Sequence, residues 1–125
     1  MMSTIPVIDM QEPAGAQTML TILAVDDAAT MRETLRSLLS AEYDLLLADS
    51  AAAFAAAIDS TIPNIVLLDL NLPDGNGIDL CRSLRRNRHF NDCSIIMITA
   101  YSDEKTLEDG YLAGADDFLR KPFIP

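Results

Sequence analysis

Short apolar runs and segments of helical period alternate along the chain, and this alternation restricts the fold more than any other feature. The predicted strands lie at Thr21–Val25, Tyr43–Ala48, Ile65–Asp69, Ser94–Thr99 and Asp117–Arg120. The segments between them are predicted as helices at Thr30–Ala41, Ser50–Ser60, Ile78–Arg88 and Asp103–Ala113. Strands that alternate with helices of about a dozen residues predict a parallel sheet covered by helices on both faces. We therefore expect an α/β fold with a doubly wound, five-stranded parallel sheet.

Local residue choices predict several helix boundaries. Thr30 and Glu33 have the spacing of a capping box at the start of the first helix. Ser50 is the predicted cap of the second helix, and Gly114 closes the fourth. Four of the nine basic residues lie on the outer face and at the end of the third helix: Arg82, Arg85, Arg86 and Arg88. The helix macrodipole accounts for this cluster without a ligand.

Composition excludes several classes of protein. The chain has 125 residues, half of them hydrophobic, which fits one domain and excludes wholesale disorder. A formal net charge of −10 argues against direct nucleic-acid binding, because phosphate backbones attract basic surfaces.

No apolar run approaches the ~18 residues that cross a bilayer, and no secretory signal is recognisable. Cys81 and Cys93 fit no disulfide framework or metal-ligand spacing, which predicts two reduced thiols in a cytoplasmic protein. Residues 1–19 lack a sustained period and are predicted to form a flexible tail.

Polar residues follow the predicted strands where each strand ends. Asp26 and Asp27 follow the first strand, Asp69 ends the third, Thr99 ends the fourth and Lys121 follows the fifth. Ligands of such sheets bind at the carboxyl ends of the strands, so we expect these groups to converge. Three neighbouring carboxylates repel one another, and a hard divalent cation such as Mg²⁺ resolves that conflict. A cation, an ammonium and a hydroxyl around one carboxylate suit phosphoryl transfer to that carboxylate.

Five motifs in order resemble the receiver domain of two-component response regulators. They are Val25-Asp26-Asp27, Val66–Leu70 followed by Leu72–Gly75, Ile98–Ala100, Gly114–Phe118 and Lys121–Phe123. The resemblance covers roughly residues 20–125. It implies the flavodoxin-like strand order 2-1-3-4-5 and a fifth helix that is mostly or wholly missing after Lys121. Exposed apolar surface beside the fourth and fifth strands would follow, on a face that receivers often use to pair.

The resemblance also implies a role for each site residue. Asp69 resembles the phosphoacceptor. The Mg²⁺ ligands would be Asp27, Asp69 and the backbone carbonyl of Asn71, with Asp26 nearby through water. Lys121 would pair with the phosphoryl oxygens, and Thr99 would move its hydroxyl onto them.

Three further positions adjoin the implied site. Phe118 lies where the family has an aromatic switch, although an aromatic in a short strand is more commonly a core residue. Ala100 is small and leaves room for the phosphoryl group. Tyr101, with Asn71, would tune the lifetime of the acyl phosphate. Implied partners are a sensor histidine kinase or phosphotransfer protein, a C-terminal effector domain and a second copy of the chain, with no membrane.

Two other functions compete with this interpretation. One is an independent Mg²⁺-dependent phosphohydrolase that uses Asp69 as nucleophile, although the chain offers no cap domain to hold a substrate. The other is a receiver-like docking module that is never phosphorylated, although retention of the whole acidic, hydroxyl and lysine set disfavours it.

Overall fold

The computed structural model describes residues 19–100 and 103–121. The strands of the main sheet are β1 (Thr21–Val25), β2 (Asp44–Ala48), β3 (Ile65–Asp69), β4 (Ser94–Thr99) and β5 (Asp117–Arg120). The helices are α1 (Ala29–Leu39), α2 (Ala51–Ser60), α3 (Gly77–Arg85) and α4 (Glu104–Ala113), with a 3₁₀ turn at Arg88–Phe90. The predicted flexible tail lies outside the described residues, apart from Met19, and stays a prediction.

The main sheet has the order β2-β1-β3-β4-β5, and every strand pair in it is parallel. The predicted α/β class and strand order are therefore confirmed. Val25 pairs with both Ala48 and Leu68 across the sheet. Thr99 pairs with Arg120, so the carboxyl ends of the strands lie along one edge. That edge is where the sequence predicted the polar groups to meet.

Two apolar layers cover the faces of the sheet, as expected for strands that are apolar throughout. On one face, Leu68 and Met97 belong to a cluster that includes Phe54 of α2 and Leu84 of α3. On the other face, the strands pack with α1, chiefly through Leu35.

An apolar groove of about 290 Å³ lies beside α1. Its walls are formed by Ile22, Leu35, Leu38, Leu39, Tyr43, Ile65, Leu67, Ile96 and Leu119. Leu119 of β5 is 42% exposed. Apolar surface beside β4 and β5 is thus present, as predicted. The missing fifth helix concerns residues beyond Lys121, outside the described residues, and stays a prediction.

The predicted caps are confirmed for two helices and wrong for one. The Ser50 side chain accepts from the Ala53 N–H, and Gly114 ends α4 with a left-handed φ of 114°. The capping box of Thr30 and Glu33 is wrong: α1 begins at Ala29, and its N-cap Ala28 makes no side-chain cap bond. The first turn starts earlier because Asp26, described below, holds the chain there. Helix α3 is also shorter than predicted and ends at Arg85, since a separate 3₁₀ turn follows.

Arg85 is not on the outer face of α3, which corrects the interpretation of the arginine cluster at this position. Its guanidinium donates to the carbonyl oxygens of Gly114, Phe90 and Cys93 at 2.8–3.1 Å. It also forms an ion pair with Asp116 at 2.7 Å. Specific tertiary contacts, more than the macrodipole, therefore account for this residue.

Cys81 and Cys93 are buried and free, in agreement with two reduced thiols. Burial raises the pKa of Cys81 and raises that of Cys93 to about 11, so both thiols stay protonated near neutral pH. Among the described helices, none has the length and apolar character needed to cross a bilayer.

Candidate functional site

Strand β1 delivers two carboxylates of different exposure. Asp26 is fully buried, and its backbone N–H donates to the Ala48 carbonyl at 3.0 Å. Its Oδ1 accepts from the Ala28 N–H at 2.9 Å and so shapes the turn into α1. Asp27, the next residue, is exposed. The Asp pair therefore presents one fixed carboxylate and one open to solvent.

Strand β3 places a third carboxylate beside this pair. Asp69 ends β3, is 6% exposed and lies next to β1 in the sheet. One carboxylate oxygen from each of Asp26, Asp27 and Asp69 lies within 4.8 Å of the others. The structure thus brings together the three acidic residues that the sequence predicted to converge.

Lys121 bridges two of these carboxylates. Its Nζ lies 2.8 Å from Asp26 Oδ2 and 3.4 Å from Asp69 Oδ2. Its backbone N–H donates to the Thr99 carbonyl at 2.8 Å, which fixes the end of β5 against the end of β4. Thr99 itself is buried, at 4% exposure. The backbone therefore holds Lys121 and Thr99 together at the carboxyl ends of β4 and β5.

The pKa values of both Asp69 and Lys121 are raised in the folded site. Burial is the main cause that raises the pKa of Asp69, and the charge of Asp26 raises it further. Lys121 and the Asn71 N–H oppose this rise without cancelling it. Burial pulls the pKa of Lys121 down, but its contacts with Asp26 and Asp69 outweigh burial and leave that pKa raised.

The donor set fits a hard divalent cation. Of the described basic side chains, only that of Lys121 forms an ion pair within this cluster, and it does so with Asp26 and Asp69. Asp26 Oδ2 is buried and has this ion pair but no hydrogen bond of good geometry among the described residues. Three carboxylates facing one ammonium leave an excess of negative charge in a partly desolvated site. Oxygen ligands with excess negative charge are the set that Mg²⁺ prefers.

Arg32 adjoins the site and was not singled out from the sequence. Its Nη1 donates to the backbone carbonyl of Asp26 at 2.8 Å. A basic residue in the first turns of a helix gives no local sign of this contact, because the acceptor is a main-chain atom. Arg32 thus supports the loop that carries the Asp pair.

The segment after Asp69 turns sharply beneath the site. The Asn71 N–H lies 3.4 Å from Asp69 Oδ1, and the Gly77 N–H donates to the Leu70 carbonyl at 2.8 Å. A Cβ on Gly77 would lie 2.3 Å from the Asp69 carbonyl oxygen, so this close approach requires glycine. Asn71 is exposed, and Ala100 is exposed at the end of β4. Tyr101 lies outside the described residues, and its predicted flanking role stays a prediction.

Phe118 is half-buried and packs against the larger apolar cluster. Its ring meets that of Tyr111 edge to face, with centroids 5.2 Å apart and an interplanar angle of 64°. A Cβ on Gly110 would lie 2.4 Å from Phe118 Cζ, so the ring covers the backbone of α4 at that point. These contacts agree with a core aromatic, and the predicted switch role stays a prediction.

Comparisons with known proteins agree with this architecture. A family model described as the response regulator receiver domain matches residues 22–125. The phosphate regulon transcriptional regulatory protein PhoB of Pseudomonas aeruginosa is 42% identical over 106 residues, 84% of this chain and 46% of that protein. The DNA-binding response regulator MtrA of Mycobacterium tuberculosis is 40% identical over 105 residues, 83% of this chain and 45% of that protein.

A solved structure supports the same assignment. The chemotaxis protein CheY4 of Vibrio cholerae matches with a TM-score of 0.81 at 25% identity, covering 86% of this chain and 90% of that one. The chain spans about half the length of the two curated relatives. With the family model matched over most of its length, the chain belongs to the response regulator receiver domain family, a module of two-component phosphorelay signalling.

Proposed function

We propose that this receiver domain accepts a phosphoryl group on Asp69, in a Mg²⁺-dependent reaction, from a phosphohistidine of a sensor histidine kinase or phosphotransfer protein. The observation that carries the proposal is the convergence of three carboxylates within 4.8 Å, with Lys121 in contact with two of them. Such a set suits a nucleophilic carboxylate surrounded by groups that stabilise negative charge on a phosphoryl group.

In the proposed transfer, a carboxylate oxygen of Asp69 bonds to phosphorus while the P–N bond of the phosphohistidine breaks. The electron pair of that bond stays on the donor nitrogen, which takes a proton from solvent and becomes neutral imidazole. The product is an acyl phosphate on Asp69, and attack by water later releases inorganic phosphate. The chain thus catalyses only its own phosphorylation and dephosphorylation.

The surrounding residues hold charge during this transfer. When bound, Mg²⁺ neutralises the oxygens of the transferring phosphoryl group. The ligands we propose are Asp27, Asp69 and the Asn71 carbonyl, with Asp26 acting through water. Lys121 then pairs with a phosphoryl oxygen, and the Thr99 hydroxyl donates to another.

Signalling follows as a shift between two arrangements of the domain. The phosphoryl group adds charge that Thr99 and Lys121 bind in only one arrangement. Because the backbone N–H of Lys121 is hydrogen-bonded to β4, the change passes into β5, where the Phe118 ring packs on α4. In this proposal, Phe118 changes rotamer by ring packing alone, since it lacks a hydroxyl.

The proposed partners follow from the family and from the relatives. The two curated relatives are named as a transcriptional regulator and a DNA-binding response regulator. We propose a cytoplasmic signalling protein with a C-terminal effector domain, because the chain spans only about half of such relatives. A homodimer formed beside β4 and β5 is the corresponding proposal for self-association, supported by the exposure of Leu119.

A small phosphodonor tests the central proposal. The chain is incubated with acetyl phosphate and Mg²⁺, and its intact mass is followed over time. We expect a gain of one phosphoryl group that disappears in Asp69→Asn, without Mg²⁺, and after hydroxylamine treatment. Asp92→Asn is the matched control, because Asp92 is exposed in a loop away from the carboxyl edge of the sheet.

The same experiment separates the competing functions. Absence of any adduct in the wild-type chain would refute the phosphoacceptor and favour an unphosphorylated docking module. Rapid, repeated turnover of a phosphomonoester without net modification would favour a phosphohydrolase.

A further inference from the structure

A small hairpin connects the proposed phosphoacceptor to α3. Asn71 pairs with Asn76, and Leu72 pairs with Gly75, as two antiparallel two-residue strands. Leu72 is buried in the larger apolar cluster, whereas the turn at Pro73 and Asp74 is exposed. The residue whose carbonyl we propose as a metal ligand therefore lies at the base of a hairpin whose tip projects from the core.

Asp74 joins the tip of this hairpin to α2. Its Oδ1 accepts from the Ala51 N–H at 2.7 Å, and its Oδ2 accepts from the Ala52 N–H at 3.0 Å. These two bonds lower the pKa of Asp74 below its ordinary value. The Asp74 side chain thus uses both of its oxygens on a helix that is 22–23 residues away in sequence.

The backbone N–H groups in the first turn of α2 donate to two side chains, those of Asp74 and Ser50. The side-chain hydroxyl oxygen of Ser50, the local cap, accepts from the Ala53 N–H at 3.1 Å. Unpaired N–H groups at a helix start need acceptors, and an anionic acceptor is favoured there. A Cβ on Gly75 would lie 2.9 Å from the Ala51 Cβ, so the hairpin lies directly against the helix.

The other end of the hairpin is equally constrained. The Asn76 side chain caps α3 by accepting from the Ile78 N–H at 2.7 Å. The Gly77 N–H donates to the Leu70 carbonyl at 2.8 Å. Because the base is tied to α3 and the tip to α2, the backbone at Asn71 has little freedom to move.

We propose that Asp74 is a positioning residue for the metal site, which anchors the hairpin to α2 and thereby fixes the Asn71 carbonyl relative to Asp69. This inference rests on the proposed function, because it takes that carbonyl as a Mg²⁺ ligand. Mg²⁺ requires near-octahedral geometry, so a ligand that moves lowers its affinity more than it would for a larger ion. Residues that orient ligands typically change metal affinity about 10–100-fold when they are removed.

The test compares Asp74→Ala with Ser50→Ala. Both substitutions remove acceptors from the start of α2, but only Asp74 belongs to the hairpin. Mg²⁺ affinity is measured on the full chain by amide chemical-shift titration, and thermal unfolding is measured alongside. We expect both variants to lose some stability. Only Asp74→Ala weakens Mg²⁺ binding, by about tenfold. Asp74→Asn keeps acceptor capacity at one oxygen, and we expect it to recover part of the affinity.

Amide hydrogen exchange at Gly77 gives a readout that needs no metal. Faster exchange in Asp74→Ala, with wild-type exchange in Ser50→Ala, supports the anchor. Equal Mg²⁺ affinity in Asp74→Ala and Ser50→Ala would overturn the positioning role. Failure of the wild-type chain to bind Mg²⁺ would instead overturn the proposed function. Unchanged Gly77 exchange in Asp74→Ala would then refute the anchor independently.

Discussion

Asp69→Asn tests whether the carboxylate cluster is under electrostatic strain when no metal is bound. Neighbouring carboxylate oxygens lie within 4.8 Å, which corresponds to a repulsion of about 3.5 kcal/mol per pair at an effective dielectric constant of about 20. Attraction to Lys121 Nζ at 3.4 Å is about 5 kcal/mol on the same scale. Two repulsions against one attraction leave ionised Asp69 disfavoured by about 2 kcal/mol, and burial acts in the same direction. We therefore expect Asp69→Asn to raise the metal-free melting temperature by about 10 °C.

The stability that Asp69→Asn gains without metal depends on pH, because the pKa of Asp69 is raised in the folded chain. The folded chain binds the Asp69 proton more tightly than the unfolded chain, so ionisation destabilises the fold as pH rises from 3.8 through the raised pKa. The advantage of Asp69→Asn therefore grows as pH rises from 3.8 through the raised pKa of Asp69, and it disappears below pH 3.8. Excess Mg²⁺ reverses the order of stability, because it binds the native wild-type site more tightly than the variant site.

Thermal denaturation gives the melting temperatures and urea denaturation gives the free energies of unfolding, both followed by far-ultraviolet circular dichroism. Asp92→Asn removes an exposed loop charge and should change the free energy of unfolding by no more than about 0.5 kcal/mol. A metal-free Asp69→Asn variant that is less stable than wild type at neutral pH would refute the reasoning. If Asp69→Asn remained more stable than wild type by the same amount in acid, neither carboxylate repulsion nor burial of the Asp69 charge would be the source of the difference.

Two further substitutions test contacts outside the carboxylate cluster. Gly110→Ala places a methyl group against the Phe118 ring, and we expect a loss of about 1–3 kcal/mol in urea denaturation. Phe118→Leu should recover part of that loss in the double variant, and strict additivity would contradict the clash. Arg85→Met removes the guanidinium that donates to three carbonyl oxygens and should lower the free energy of unfolding by about 2–3 kcal/mol. A loss no larger than that of the exposed Arg86→Met would contradict this role.

The strands β1 to β4 were predictable because their sequences are largely apolar runs between turn residues, whereas β5, which is charged at both ends, was predictable from its place in the alternation of strands and helices. β1, β3, β4 and β5 occupy the predicted bounds, and β2 starts one residue later than predicted. The meeting of Asp26, Asp27 and Asp69 was predictable for the same reason, since parallel strands end at one edge. Residues that are distant in sequence become neighbours when they end adjacent parallel strands, so their proximity can be predicted without knowledge of side-chain contacts.

Contacts that depend on individual acceptors were not predictable. Arg85 was assigned to the helix surface because its neighbours are basic and its spacing fits an outer face. Its actual acceptors are main-chain carbonyls of the connection after α4 and of the turn before β4, which no sequence pattern marks. Asp74 appeared in the sequence only as part of the Leu72–Gly75 motif, and no pattern marks that its oxygens reach the start of α2. The capping box of α1 was wrong because Asp26 holds the entry to that helix.

The strain in the metal-free site and its proposed chemistry have the same physical origin. Relief of carboxylate repulsion adds to the binding free energy of a divalent cation, so the instability of the empty cluster favours its loading. In the proposed reaction, an acyl phosphate would then replace the single charge of Asp69 with about −1.5 to −2. Lys121, now shared between Asp26 and Asp69, would be drawn toward the phosphoryl oxygens. Because its backbone N–H is bonded to Thr99, that movement would act directly on the ends of β4 and β5.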